Sequence, residues 1–243
     1  MNDNWLERTT LLLGEEKLIR LKKAHVLIVG LGGVGAYAAE QLVRAGIGEM
    51  TIVDADVIDN TNRNRQLPAL ISTLGQTKVA VMQQRLLDIN PNIILHPVVE
   101  FLRDEGTEQI LDRAQYDYVV DAIDSLAPKA FLIYFALQRH YKVISAMGAG
   151  GKTDTSLVKV VDIKKTYQCP LAHALRKRLH RLNIRTGFKT VFSPEIVPET
   201  AIKIESDPSI NKMSIVGTIS YMPAIFGCFA AAEVIRDLCK QES

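Results

Sequence analysis

The chain has 243 residues, a length that suits one large α/β domain or one domain with a modest appendage. Its 47% hydrophobic and 23% charged residues are ordinary for a globular protein with a sizeable core, and a net charge of +2 is too small to indicate a nucleic-acid partner by itself. The three cysteines, Cys169, Cys228 and Cys239, form no C-x-x-C pair, which argues against a disulfide framework and against a cysteine-based zinc site.

Strands and helices alternate up to about residue 150. An amphipathic helical lead-in over residues 3–23 precedes "HVLIVG", a short apolar strand of the kind buried on both faces of a parallel sheet. Such alternation is typical of right-handed βαβ units and predicts an α/β fold with a Rossmann-like, doubly wound, mostly parallel sheet. The remaining predicted elements are helix 35–46, strand 49–56, helix 77–90, strand 92–101, helix 105–114, strand 116–124, helix 127–140 and strand 142–150.

The alternation loosens after residue 153. A strand at 156–163 is followed by a basic helix at 170–183, and the segments 190–195 and 200–206 are typical of antiparallel additions to the sheet. We expect one domain over residues 1–243. Its parts are the lead-in at 1–23, a nucleotide-binding core at 24–152 and a substrate-facing extension with a final helix at 153–243.

One apolar segment, from Ser214 to Ile235, is long enough to raise the question of a membrane span. Glycines, Pro223 and Glu233 interrupt it, so we predict a buried strand followed by a helix. The first residues lack an export pattern and the cysteine usage fits a reducing compartment. We therefore expect a cytoplasmic protein, and peripheral association with a membrane stays open.

A glycine-rich loop follows the first strand, with Gly30, Gly32, Gly33 and Gly35 in the G-x-G-x-x-G pattern. Glycines let the backbone approach a phosphate closely, while the following helix directs free N–H groups at the anion. Asp54, at the end of the next strand, can accept hydrogen bonds from ribose hydroxyls. The loop predicts a nucleotide site rather than a structural turn, and leaves open which nucleotide binds.

The stretch "DADVIDNTNRNRQLPALISTLGQTKV" carries more polar groups than a dehydrogenase needs after its ribose-binding acid. Arginine forks bind phosphate oxygens in pairs and lysine adds a point charge, which together suit a triphosphate. The alternative is a solvated loop with surface cations. The candidate ATP-binding side chains are Asp54, Asp56, Asn62, Arg65, Gln66 and Lys78.

Two further carboxylates, Asp121 and Asp124, fall at the carboxyl end of the strand at 116–124. Mg²⁺ is the simplest reason for a carboxylate beside a polyphosphate, so Asp124 is a candidate metal ligand. Asp124 could equally cap the helix that follows, and the two roles are compatible.

The motifs "GLGGVG", D-x-D, N-x-x-R-Q, "GQTK" and "DAIDS" occur in an order that resembles the ubiquitin-activating-enzyme-like superfamily, which includes the bacterial thiamine and molybdopterin adenylyltransferases. The resemblance runs from about residue 8 to residue 150. It implies ATP-dependent adenylation of a carboxylate, usually within a homodimer. It assigns ATP contacts to Asp54, Asn62, Arg65, Lys78 and Asp124, and it implies that Arg8 reaches the phosphates bound by the neighbouring subunit.

Over nearly the whole chain, "DAIDSLAPKAFLIYF", "GAGGKTD", "QCPLAHALRKRL" and "VFSPE" resemble one branch of that superfamily, the tRNA threonylcarbamoyladenosine dehydratases. The resemblance implies activation of the threonyl carboxylate of a modified adenosine in tRNA as an acyl-adenylate, followed by ring closure with loss of water. Arg8, Arg65, Lys78 and Asp124 would carry the chemistry, and ATP with Mg²⁺ would be required.

A tRNA substrate should leave a basic footprint, and residues 173–189 contain no acidic residue. Phosphate-backbone binding is one use for such a segment, and a solvated helix face is the other. The candidate RNA contacts are Arg176, Lys177, Arg178, Arg181, Arg185 and Lys189. Cys169, just before this segment, could act as a nucleophile, but the dehydratase pattern has an acidic residue there and ring closure needs no thiol.

Three other functions share part of this sequence pattern. A sulfur-carrier-protein adenylyltransferase would use the same ATP site, but those enzymes commonly hold zinc through two C-x-x-C pairs that this chain lacks. An NAD-dependent dehydrogenase would need hydride-transfer residues that are not found, and a tRNA-binding module would not need cations around a nucleotide loop. The sequence leaves open whether a cysteine desulfurase with its sulfur acceptor is a further partner.

Overall fold

Seven strands form the central sheet of the computed structural model, which describes residues 4–204 and 214–240. They are His25–Val29 (β1), Glu49–Val53 (β2), Ile94–Val98 (β3), Tyr118–Asp121 (β4), Lys142–Ala146 (β5), Lys159–Asp162 (β6) and Lys189–Phe192 (β7). Their order across the sheet is β3-β2-β1-β4-β5-β7-β6, and every neighbouring pair except β6 with β7 is parallel. The predicted Rossmann-like, mostly parallel sheet is confirmed.

Helices cover both faces of the sheet. The α-helices of the described residues are Glu7–Leu13 (α1), Glu15–Lys23 (α2), Gly35–Ala45 (α3), Lys78–Ile89 (α4), Asp104–Asp112 (α5), Leu126–Gln138 (α6), Pro170–His180 (α7) and Tyr221–Leu238 (α8). Side chains alternate along β1, so Val26 and Ile28 join the core under α3, α4 and α8, whereas Leu27 and Val29 join the core under α5, α6 and α7. Burial on both faces explains why β1 is apolar after His25.

The helical lead-in is two helices rather than one. Gly14 has φ of 85° and ends α1 before α2 begins, a conformation that favours glycine. The first part of the predicted lead-in, residues 1–3, lies outside the described residues. α1 packs against α2 and leaves Leu11 and Leu12 80% and 83% exposed.

The extension departs from the prediction in one respect. The segment predicted at 190–195 as an antiparallel addition forms β7, which pairs antiparallel with β6 but also in parallel with β5. The antiparallel strand is β6, at the edge of the sheet. The segment 200–206 contributes Ile202–Ile204 (β8), antiparallel to Ser214–Val216 (β9), and its last two residues lie outside the described part.

The apolar segment from residue 214 to residue 235 is a strand followed by a helix, as predicted. β9 begins it and α8 takes up the rest, with Met222, Phe226 and Val234 buried in the core. Among the described residues, none of the helices has the length and apolar character that crossing a membrane requires.

Candidate nucleotide-binding site

The glycine loop between β1 and α3 is shaped by close backbone contacts. Gly30 has φ of 93°, and a Cβ there would lie 2.8 Å from the carbonyl oxygen of Ala122. At Gly35 a Cβ would lie 1.8 Å from the carbonyl oxygen of Gly30. Gly33 faces Pro223 of α8, and Gly32 faces the side chain of Gln66. Glycine is therefore required by the fold itself at Gly30 and Gly35, where any other residue would displace backbone.

A buried lysine lies beside this loop, between the two carboxylates that follow β2. Lys78, the first residue of α4, donates from Nζ to Asp56 Oδ2 at 2.6 Å and lies 3.9 Å from Asp54 Oδ1. Its side chain is 6% exposed. The parallel order of β1 and β2 brings these three residues to the carboxyl edge of the sheet, where ligands of such folds bind.

Asp54 also fastens the glycine loop. Its Oδ2 accepts from the backbone N–H of Leu31 at 2.6 Å, and its Oδ1 accepts from the N–H of Asp56 at 2.8 Å. Burial raises the pKa of Asp54, and the ammonium group of Lys78 and the two backbone donors oppose that shift. Each carboxylate oxygen has a second lone pair, so the predicted ribose contact is compatible with this role.

The turn after β2 holds the other predicted ATP-binding side chains. Asn62 Oδ1 accepts from the backbone N–H of Asp59 at 3.2 Å and closes a short 3₁₀ turn. Arg65 donates from Nη1 to Asn64 Oδ1 at 2.8 Å and is half-buried. Gln66 has a buried Oε1 with no hydrogen-bond partner among the described residues. A buried acceptor beside the glycine loop can accept a hydrogen bond from a donor group of a bound ligand.

Asp121 and Asp124, predicted together, lie in different environments. Asp121 is fully buried, accepts from Lys129 Nζ at 2.6 Å and also accepts from the hydroxyl of Ser145. Lys129 donates in addition to the carbonyl oxygen of Ala146 at 3.0 Å. This carboxylate is therefore unavailable to a metal ion, whereas Asp124 is exposed just beyond it.

Contacts that the sequence did not indicate join the turn after β2 and the segment after β5 to the start of α8 and the chain before it. Asn64 donates from Nδ2 to the carbonyl oxygen of Thr218 at 2.9 Å, and the N–H of Gly151 donates to the carbonyl oxygen of Gly217 at 2.7 Å. The hydroxyl of Tyr221 donates to the carbonyl oxygen of Thr153 at 3.0 Å. Because these partners are separated by 66 to 154 positions, no local pattern could have revealed them.

These groups fit ATP. The loop backbone and the N-terminus of α3 suit phosphates, Lys78 supplies a desolvated cation, and Gln66 supplies an unpaired acceptor for an amino or hydroxyl donor. Asp124 can serve Mg²⁺, since that ion typically takes one or two protein carboxylates and completes its shell with phosphate and water.

The basic segment is only partly exposed. Lys177, Arg181 and Arg185 are exposed, whereas Arg176 donates to the carbonyl oxygen of Thr166 at 2.9 Å. Arg178 lies over the ring of Phe131, 5.3 Å from its centroid. Three cations on and after α7 therefore remain fully available to a polyanion.

Lys189 is directed away from that surface. It lies at the start of β7 and donates from Nζ to Glu233 Oε1 at 2.6 Å and to Asp237, both buried on α8. Cys169 is also buried, and it belongs to the core under α5, α6 and α7. Arg8 is exposed on α1, and among the described residues no hydrogen bond or ion pair joins it to the nucleotide site of its own chain.

Replacing Lys189 with methionine should destabilise the fold without weakening the tRNA binding predicted for the basic segment, because Glu233 and Asp237 then keep only the more exposed Arg236 and Lys240 as cationic partners. We expect a loss of about 1–3 kcal/mol, measured by urea denaturation. Lys177→Met is the matched control and should behave in the opposite way, with unchanged stability and weaker tRNA binding. Equal losses of tRNA affinity in both variants would show that Lys189 contacts tRNA as the sequence predicts.

Comparisons with known proteins give a consistent result. The ThiF family pattern matches residues 6–243. The chain is 38% identical to the tRNA threonylcarbamoyladenosine dehydratase of Haemophilus influenzae, over 94% of this chain and 90% of that protein. It is similar to the crystal structure of the E. coli tRNA N6-threonylcarbamoyladenosine dehydratase in complex with ATP, with 35% identity, a TM-score of 0.87 and coverage of 98% and 96%.

The E. coli protein has also been solved with AMP, and that structure matches with a TM-score of 0.86. An adenylyltransferase and sulfurtransferase of Candida glabrata is 33% identical, but only over 62% of this chain and 34% of its own length. The similarity to the dehydratases thus extends through the basic segment and α8, and the similarity to the sulfurtransferase does not cover the whole chain.

Proposed function

The chain belongs to the ThiF family, as its motifs predicted, and we propose that it catalyses the ATP-dependent dehydration of N6-threonylcarbamoyladenosine in tRNA. The observation that carries this proposal is similarity to the dehydratases over nearly the full length of both chains, including an ATP-bound structure. The buried Lys78 beside the glycine loop is what adenylation chemistry requires of the site.

In this proposal the threonyl carboxylate attacks the α-phosphorus of ATP, the bond to pyrophosphate breaks, and an acyl-adenylate forms. The neighbouring carbamoyl group closes on the activated carbonyl carbon and AMP leaves, so the product is one water lighter than the substrate. Catalysis rests on positioning and on neutralising charge at phosphorus. No enzyme thiol is needed, which agrees with the burial of Cys169.

Each residue predicted for the ATP site has a role in this scheme. The loop of Gly30, Gly32, Gly33 and Gly35 cradles the phosphates, and Asp54 holds both the loop and the ribose. Asn62 and Gln66 line the nucleotide, and Asp124 holds Mg²⁺. Lys78 leaves Asp56 for the phosphates when ATP binds, because a triphosphate offers it more negative charge than one exposed carboxylate. Arg65 reaches the same phosphates from the neighbouring turn.

We propose a homodimer in which Arg8 completes the partner's site. Leu11 and Leu12 on the same helix are exposed apolar side chains that a second subunit would cover. Enzyme made by mixing Arg8→Ala and Lys78→Met subunits should regain activity, since a mixed dimer keeps one site with neither lesion. If the two kinds of subunit demonstrably exchange but the mixed enzyme stays inactive, Arg8 does not act in the partner's site.

The tRNA lies against α7 and the turn after it, where the exposed cations face solvent. We place this reaction in the cytoplasm, and a cysteine desulfurase system as a partner remains a hypothesis that no contact in the described residues supports. The activity is tested by mass spectrometry of nucleosides after incubating the protein with ATP and tRNA that carries threonylcarbamoyladenosine. Loss of one water from that nucleoside is the expected result, and an unchanged mass with demonstrably ATP-bound protein would refute the proposal.

Removing three charges from the RNA surface should weaken tRNA binding and leave ATP binding intact. For the triple variant Lys177→Ala, Arg181→Ala, Arg185→Ala, the slope of log K against log salt should fall by about 2 to 3, since each phosphate contact contributes about 0.7–0.9. The control variant has the same charge change on α2, through Lys17→Ala, Lys22→Ala and Lys23→Ala, all exposed. Equal losses in the two variants would mean that only net charge matters.

A further inference from the structure

A cluster of metal-binding side chain types lies at the amino end of the sheet, opposite the nucleotide edge. His25 begins β1, Glu49 begins β2 and His96 lies in β3. The parallel registers place His25 opposite Glu49 and His96 opposite Thr51. Because residues two apart in a strand point to the same face, all three side chains project from one face of the sheet.

The donor atoms of this cluster are close enough to share one ion. Glu49 Oε1 lies 2.8 Å from His96 Nε2 and 3.4 Å from His25 Nδ1. One donor atom from each residue lies within 4.8 Å of the other two. A tetrahedral ion with bonds of about 2.0–2.1 Å needs its ligand atoms about 3.3 Å apart. Glu49 and His96 are 32% and 48% exposed in their side chains, so they have room for the adjustment.

The surroundings of His25 orient it as a ligand. It is buried, and its Nε2 lies 2.9 Å from Thr51 Oγ1. The tautomer that donates from Nε2 to Thr51 leaves the Nδ1 lone pair directed towards Glu49. The ring of Tyr116 packs edge-on at 4.7 Å and fixes the plane of the imidazole. Protein metal sites typically hold a histidine in this way, through a hydrogen bond from its second nitrogen.

We propose that His25, Glu49 and His96 bind one divalent transition-metal ion of the zinc type, with water at the solvent-facing position. Two imidazoles and one carboxylate select such an ion over Mg²⁺ or Ca²⁺, which prefer oxygen ligands. The ligands come from three adjacent strands, so the bound ion fastens β1, β2 and β3 together at their amino ends. This site is separate from the nucleotide edge, and the proposal does not depend on the proposed function.

The test titrates Co²⁺ and Zn²⁺ into the tag-free full chain without ATP and with excess Mg²⁺. We expect one equivalent of Co²⁺ to give the visible spectrum of a tetrahedral site, and Zn²⁺ to displace it. His96→Ala should weaken binding by about 100-fold or more, and Glu49→Gln should weaken it as well. His180→Ala, an exposed histidine on α7, is the matched control and should bind as the unaltered chain does.

Stability gives a second readout. Zn²⁺ should raise the melting temperature of the unaltered chain and of His180→Ala but not that of His96→Ala. His96 is half-exposed, so its replacement leaves the fold intact and circular dichroism verifies this. The proposal is overturned if the chain does not bind one equivalent of metal ion, or if His96→Ala and the unaltered chain bind it with equal affinity. The cluster would then be only a glutamate hydrogen-bonded between two histidines.

Discussion

Lys78→Met should lower the rate of dehydration by about 100- to 1,000-fold, the cost of removing one preorganised charge from a reacting centre. Methionine keeps the aliphatic volume of this buried side chain while removing the ammonium group. Without the ammonium group, the negative charge that develops around the α-phosphorus loses the buried cation that neutralises it. The measurement is single-turnover conversion of the modified nucleoside in tRNA, followed by mass spectrometry.

The same variant should bind tRNA normally, because Lys78 lies at the carboxyl edge of the sheet and the exposed cations lie on and after α7. Lys23→Met, an exposed lysine at the end of α2, is the matched control for a loss of one charge. A folded Lys78→Met protein that retains more than a tenth of the control's rate would show that this cation does not act on the phosphates.

The features that could be predicted from sequence are those fixed by short stretches of chain. The glycine loop, Asp54 and Lys78 each follow directly from a strand end or a helix start, so the parallel topology alone brings them together. The break at Gly14 was missed because the apolar pattern continues on both sides of it, and only the backbone conformation there reveals the end of α1.

The features that could not be predicted depend on distant partners. Lys189 belongs by sequence to a basic segment, but its charge is taken up by residues 44 and 48 positions later on α8. The contact of Asn64 with Thr218 spans 154 positions. The parallel pairing of β7 joins it to β5, whose residues lie 45 positions earlier in the chain. In each case the local sequence pattern fits more than one structure, and only tertiary packing selects one of them.

The buried pair of Asp121 and Lys129 should have the largest effect on stability. Neither side chain has any exposed surface, and Ser145 and Ala146 satisfy the remaining hydrogen bonds of Lys129. Asp121→Asn leaves the ammonium group buried without its counter-charge. We expect a loss of about 3–5 kcal/mol, measured by urea denaturation. Asp112→Asn is the matched control, since its pair with Arg139 has the same 2.6 Å separation but a carboxylate that is 61% exposed.

The control should lose much less stability than Asp121→Asn, because solvent screens an exposed pair. Replacing both members by Asp121→Leu and Lys129→Met should cost much less than the sum of the single replacements, since no charge is then left unpaired. Equal losses for Asp121→Asn and Asp112→Asn would mean that burial does not set the strength of this pair.

The pair also positions the site: Asp121 Oδ1 accepts from the N–H of Ile123 at 3.1 Å and so fixes the start of the turn that presents Asp124. A double variant that folds but loses dehydration activity would separate that positioning role from the contribution to stability.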